Sequence, residues 1–114
     1  MVNIVKIKDI INQDYQLLTN PETSMLEFQG CYATDLLSAA IKSSEPNNIL
    51  ITIISHLNTV ALALMVDLPA IIISEGRAVT REMIEKANSE QIAILQTTRK
   101  THEVVIDLFQ RGFI

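Results

Sequence analysis

Hydrophobic and polar positions change period several times along this chain, and each change predicts an element. Leu57, Val60, Ala61, Leu64 and Met65 recur at i, i+3, i+4, i+7 and i+8, the spacing of one helix face. Leu62, Ala63 and Val66 fill the other faces of the same helix. A helix apolar all round belongs inside a protein or a membrane, so this helix is expected to be buried. The stretch before it, Asn48 to Ile54, reads as a buried strand, and Ser55 and His56 form a tight polar turn between the two. The unit is the centre around which the rest of the pattern arranges itself.

Taken in order, Ile7, Ile10 and Ile11 predict a short helix within residues 4 to 12, preceded by a strand-like residue or two. Tyr15 to Thr19 is a short strand, and Asn20-Pro21-Glu22 a turn, because proline fixes φ and keeps the residue before it out of the helical region. Leu26 to Ala33 alternates as a strand with Gly30 as a bulge or close-approach point. Thr34 or Asp35 is placed to cap a helix whose apolar stripe is Leu36, Leu37, Ala40 and Ile41. Ser43 to Asn48 is a loop.

Beyond the central unit, Pro69 to Ser74 is a second apolar strand and Glu75-Gly76 a turn. Thr80 caps a helix from Arg81 to Glu90 that buries Met83, Ile84 and Ala87. Gln91 to Thr97 is the next strand. The last helix begins at Thr98 or Thr101 and runs to Gln110, with Gly112 where a C-terminal cap belongs. From residue 26 onward strands and helices alternate with short connections, which gives parallel strands and an α/β layered fold. No internal repeat or linker interrupts the pattern, so residues 1–114 read as one domain.

Composition narrows the picture. The hydrophobic set is 48% of the chain but aromatics only 4%, with no Trp, so the core is aliphatic, as in a parallel sheet covered on both faces. A net charge of −4 argues against nucleic acid as a partner, since that needs a basic face, and Arg99-Lys100 is too small a cluster to supply one. The single Cys excludes an internal disulfide framework and points to a reducing, cytoplasmic setting. Met1 to Lys6 lacks the features of a signal peptide, and polar residues break the apolar run from 49 to 66, which argues against a membrane span.

Ligands of open α/β sheets bind beyond the carboxyl ends of the strands. The segments that follow the strands are therefore the candidate site: Tyr32 and Asp35, then Ser55, His56 and Asn58, then Glu75, then Thr97. Helix starts there offer N–H groups suited to an anion or nucleotide. The commoner use of such hydroxyls and carboxylates is helix capping. His56 could titrate near neutral pH, but Ser55 and His56, adjacent in sequence, do not make a nucleophile and base, and no third group orients them. Cys31 on a strand reads as a small hydrophobe sooner than as a thiolate. His56, His102 and Cys31 have no metal-ligand spacing, and no phosphate-binding glycine motif is present, so neither metal, cofactor nor catalytic residues are expected. The last helix carries a stripe from Thr101 through Val104, Val105 and Leu108, and a second stripe of His102, Ile106, Phe109 and Phe113. Two apolar faces on a terminal helix suit a dimer contact, unless the N-terminal segment folds back over one of them.

Four segments together carry a family resemblance: Gly30 to Ala40, Asn48 to Asn58, Ala70 to Gly76 and Ile92 to Thr97. The chain resembles a DRTGG domain over nearly its whole length, most strongly over residues 30 to 98. It is similar above all to small stand-alone members, some of which occur with iron-only hydrogenase and redox-signalling genes in anaerobic bacteria. Other members are regulatory modules within CBS-domain pyrophosphatases and phosphate acetyltransferases. The resemblance implies a three-layer α/β/α fold with a mostly parallel sheet, akin to the N-terminal domains of HPr kinase/phosphorylase and Mur ligases. It also implies a non-catalytic regulatory or interaction module that dimerises and works beside a redox or signalling system. A sensor of a nucleotide or other anion is the alternative. Where the family's name motif falls, this chain has Gly30-Cys31-Tyr32-Ala33-Thr34-Asp35 and lacks the Asp-Arg pair.

Overall fold

Side chains on successive strand residues pack into two separate apolar clusters, and that alternation defines the layers. The computed structural model describes residues 4–114, so residues 1–3 of the stretch read as leaderless lie outside the described residues. Strands β4 (Cys31–Ala33), β5 (Ile49–Thr52), β6 (Ala70–Ile73) and β7 (Ala93–Gln96) are parallel neighbours in that order. β2 (Gln16–Leu17) adds an antiparallel edge against β7. Ile49, Ile51, Ala70, Ile72, Ala93 and Leu95 point to one side, into a cluster with Ile7, Ile10, Tyr15, Val104 and Leu108. Leu50, Ile71, Ile73 and Ile94 point to the other, into a cluster with Ala40, Val60, Ala63, Met83 and Ala87. Each fully buried Ile or Leu contributes roughly 1.5–3 kcal/mol of transfer free energy, which explains why the sheet is built almost entirely of them.

The helices follow from the crossovers. Each parallel connection advances one strand in the same direction, and right-handed crossovers then put their helices on one face. α2 (Leu37–Ser43), α3 (Leu57–Met65) and α4 (Arg81–Ser89) form that layer. α1 (Ile7–Ile10) and α5 (Thr101–Gln110) cover the opposite face. The fold is three-layer α/β/α with a mostly parallel five-stranded sheet, as the alternation of elements predicts.

Several expectations are corrected in detail. Leu26 to Ala33 is not one strand but two. β3 (Glu27–Phe28) pairs antiparallel with β1 (Val5–Lys6), and only β4 enters the main sheet. The break is at Gly30, whose φ of +71° few side chains tolerate, and where a Cβ would stand 3.0 Å from Nδ2 of Asn48. Asn20 to Glu22 is more than a turn: Pro21–Met25 forms a 3-10 helix, with proline at its start.

The central helix is rotated from its expected phase. α3 buries Thr59, Val60, Leu62 and Ala63, and leaves Ala61, Leu64 (47% exposed) and Met65 (66% exposed) on the surface. Thr59 turns inward because its hydroxyl donates to the carbonyl of Ile54 at 2.8 Å, which satisfies it away from water. A helix apolar on every side carries no phase, so that one hydrogen-bonding side chain and the tertiary contacts choose its face. α2 shifts similarly: Ala40 is buried and Leu37 partly so, whereas Leu36 and Ile41 are exposed.

Helix ends are closed by local chemistry. Thr80 caps α4, accepting from the Met83 amide at 3.2 Å, as expected. α3, α4 and α5 each end with a left-handed residue, Asp67, Gln91 and Gly112, followed by an amide that reaches back. Leu68 bonds Ala63, Ile92 bonds Ala87 and Phe113 bonds Leu108, all at 2.8–2.9 Å. Arg111 joins the two ends of the chain. Its guanidinium donates to the carbonyls of Asp9 (2.8 Å) and Ile10 (3.2 Å), closing α1, and lies 4.8 Å from the ring centre of Phe113. The N-terminal segment thus takes up Phe113, which is half-buried, and leaves Ile106 and Phe109 bare.

Candidate functional site

The carboxyl ends of β4 to β7 lie along one edge of the sheet, where the sequence directs attention. Most polar side chains there are engaged by the fold itself. Asp35 does not cap α2. Its Oδ1 accepts from the Thr52 hydroxyl and from the Ile53 amide, both at 2.9 Å, and so pins the end of β5 to the end of β4. Thr34 does not cap α2 either; its Oγ1 accepts from the Leu36 amide at 3.0 Å, which leaves Leu36 as the capping position.

Ser55 donates to the carbonyl of Ala78 at 2.5 Å and ties the turn after β5 to the chain leading into α4. His56 is the N-cap of α3, with Nδ1 accepting from the Asn58 amide at 3.0 Å. This is the ordinary structural role of a polar residue at a helix start. The Asn58 side chain is exposed at the same place. Tyr32 stands apart from these groups: it is partly buried against the cluster under α2 to α4.

At the ends of β6 and β7 the backbone does most of the work. Glu75, exposed and at φ 60°, donates its amide to the carbonyl of Arg99 at 2.8 Å, and Gly76 donates to Thr97 at 2.9 Å. Thr97 is buried, its hydroxyl accepting from the Arg99 amide at 3.1 Å. Ser74 and Thr101 share a hydrogen bond of 2.7 Å that seats the start of α5 on the sheet.

This edge also carries an opening. A shallow cleft of about 250 Å³ lies where β2 flanks β7, lined by Gln13, Asp14, Gln16, Gln96, Thr97 and Thr98. Of the residues expected from the sequence, only Thr97 lines it. The glutamines and Asp14 were missed because β2 is short and its antiparallel pairing with β7 has no local signature. Arg99 borders the same region, paired with Asp14 at 3.0 Å. Cys31 sits on β4, half-buried, and burial pushes its thiol above the usual value, the reverse of an activated nucleophile. Among the described residues no group of three His, Cys, Asp or Glu could hold a metal, and no helix is long and apolar enough to cross a membrane.

Comparison with known proteins fits this architecture. The family model described as HPr serine kinase N terminus matches residues 54–110, from the end of β5 through α5. The chain belongs to this family. It is a DRTGG-type domain, and the HPr serine kinase N-terminus match covers α3, β6, α4, β7 and α5. A solved structure superposes on 81% of the chain with a TM-score of 0.67 at 15% sequence identity. It contains the CBS and DRTGG domains of the regulatory region of a Clostridium perfringens pyrophosphatase, complexed with the activator diadenosine tetraphosphate. This DRTGG-type domain spans 40% of that chain, and at such identity the likeness speaks to fold alone. Among curated proteins no relative matches the sequence.

Proposed function

We propose that this chain is a non-catalytic regulatory and protein-interaction domain that acts as a homodimer in the cytoplasm. One contrast supports the reading. Asp35, Thr52, Ser55, His56 and Thr97, the side chains best placed for chemistry, spend their hydrogen-bonding groups on the fold. Large apolar side chains, in contrast, stand bare on α2, α3 and α5. A protein that keeps Phe109 69% exposed is better equipped for contact than for catalysis. The similar solved structure comes from a regulatory region, which agrees with this role. The edge of α5 bearing His102, Ile106 and Phe109 is one surface available for the contact. The resemblance to small stand-alone DRTGG proteins suggests a redox (hydrogenase-type) or signalling system as the setting. Sedimentation velocity at micromolar concentration tests the reading: a species of twice the 12.7 kDa chain mass is expected, and a monomer at all concentrations would defeat it.

A second reading is favoured by the cleft beside Thr97: a sensor that holds a nucleotide or other anion at the strand ends. A ligand at a hundred times its Kd stabilises the folded state by about 2.7 kcal/mol, equivalent to roughly 10 °C in Tm for a domain of this size. A thermal-shift series with mono-, di- and dinucleoside polyphosphates that moves Tm by less than a degree would rule the sensor out for those ligands.

A further inference from the structure

We infer that Asp14 plugs an oxyanion site on Arg99, and that a phosphorylated small molecule of nucleotide size displaces it and occupies the cleft where β2 flanks β7. This rests on the sensor reading above, and names the ligand's class and the contact that closes its site. The guanidinium of Arg99 presents Nε–H and Nη2–H side by side, a two-pronged edge that matches two oxygens of a phosphate or carboxylate. Asp14 takes one prong only: its Oδ2 accepts from Nη2 at 3.0 Å. Nε is buried and, among the described residues, has no acceptor. A buried donor left unpaired is costly, so the pairing with Asp14 satisfies this edge incompletely.

The plug is easily removed. Arg99 and Asp14 are 36% and 41% exposed, and an ion pair so open to water holds its partners weakly. Asp14 sits in the turn that leads into β2 and itself lines the cleft, so rotation of one short side chain frees the guanidinium at the place where a ligand would stand.

The lining selects what enters. Gln13, Gln16 and Thr98 are exposed and offer uncharged donors and acceptors beside the ion pair. Gln96 spends its Nε2 on the carbonyl of Arg77 at 2.6 Å, which leaves its Oε1 as an acceptor. Carboxamides and hydroxyls suit the polar edge of a base or the hydroxyls of a sugar. No residue of the lining carries a large apolar side chain, which sets a lipid aside. At about 250 Å³ the cleft holds a single small molecule. A phosphate engages both prongs of Arg99 and still has oxygens for Lys100, next in the chain, which a carboxylate has not. Arg99-Lys100 is too small a basic cluster for nucleic acid, but it is the right size for one phosphate.

The test is calorimetric titration of the full chain with AMP, adenosine and inorganic phosphate. Asp14→Asn removes the charge of the plug and is expected to tighten AMP by about fivefold or more, the reverse of deleting an ordinary ligand-holding residue. Glu82→Gln removes the same charge from the exposed side of α4 and is expected to leave the affinity within about twofold. Arg99→Lys keeps the charge but loses the two prongs, and is expected to weaken AMP by about tenfold or more. Adenosine, without the phosphate, is expected to bind about tenfold more weakly than AMP or worse. Inorganic phosphate that binds as tightly as AMP overturns the nucleotide-sized ligand. AMP binding that Asp14→Asn leaves unchanged or weakens overturns the plug and keeps the sensor. No binding of AMP or phosphate to either the wild type or Asp14→Asn overturns the sensor reading for these probes, and this inference with it.

Discussion

Asp35 and Tyr15 show how single polar groups hold this fold. Asp35 is the sole acceptor for both the buried Thr52 hydroxyl and the Ile53 amide, so Asp35→Ala strands a buried donor. A loss of about 1–2 kcal/mol is expected, read as a lower urea midpoint with unchanged slope. Tyr15 is fully buried and donates to Oδ2 of Asp107 at 2.8 Å. Burial first, then the hydrogen bond and the charge of Asp107, push its phenol well above the ordinary 10.0. Below about pH 10 the phenol is neutral in folded and unfolded chains alike, and its contribution is complete. Above that, the unfolded chain ionises while the folded one does not, so stability falls with rising pH. Denaturation at pH 9 and pH 11 should show a steeper decline for the wild type than for Tyr15→Phe; equal slopes would contradict this account.

The residues that the sequence marked for chemistry are largely the residues that close elements. His56 caps α3, Asp35 joins two strand ends through Thr52, and Ser55 ties the turn after β5 to the chain before α4. Capping chemistry and ligand chemistry draw on the same side chains, and sequence cannot separate them. The hydrogen-bond partners do.

At the scale of elements, helix ends carry the clearest local signals and one clear local cost. Gly112 sits at φ 81° at the end of α5, as its identity suggests, but the equivalent position of α4 is Gln91 at φ 57°. A side chain with a Cβ tolerates that conformation poorly. Gln91→Gly is expected to stabilise the protein by about 0.5–1 kcal/mol, less whatever flexibility glycine adds to the unfolded chain. A chemical melt that shows no gain would mean that the Gln91 side chain makes good the strain. β6 and β7 were legible because a run of Ile between turn residues has few other uses. β3 and β4 were not, because one alternating run served two strands in two sheets, and the division depends on the positive φ of Gly30 and its close approach to Asn48, eighteen positions apart in sequence.

For the molecule as a whole, the proposed homodimer would tie stability to association. A folded state that binds a second copy gains stability by mass action, so Tm should rise with protein concentration. Differential scanning calorimetry over a hundredfold range is the measurement. A rise is expected, and a Tm that does not change with concentration would contradict the homodimer reading.

The sequence by itself determined the succession of elements from α2 onward, the layered α/β class, the aliphatic core and the family. Periodicity, turn residues and caps act over a few residues, and those signals are printed in the chain. Tertiary structure alone decided which way α3 faces, that β2 lies against β7 to form the cleft, and that Arg111 takes up the carbonyls of α1. α3 is apolar on every side, so hydrophobicity gave no preference among its faces. The Thr59 bond to Ile54 and the space over β5 and β6 settled the matter, and left Leu64 and Met65 facing outward.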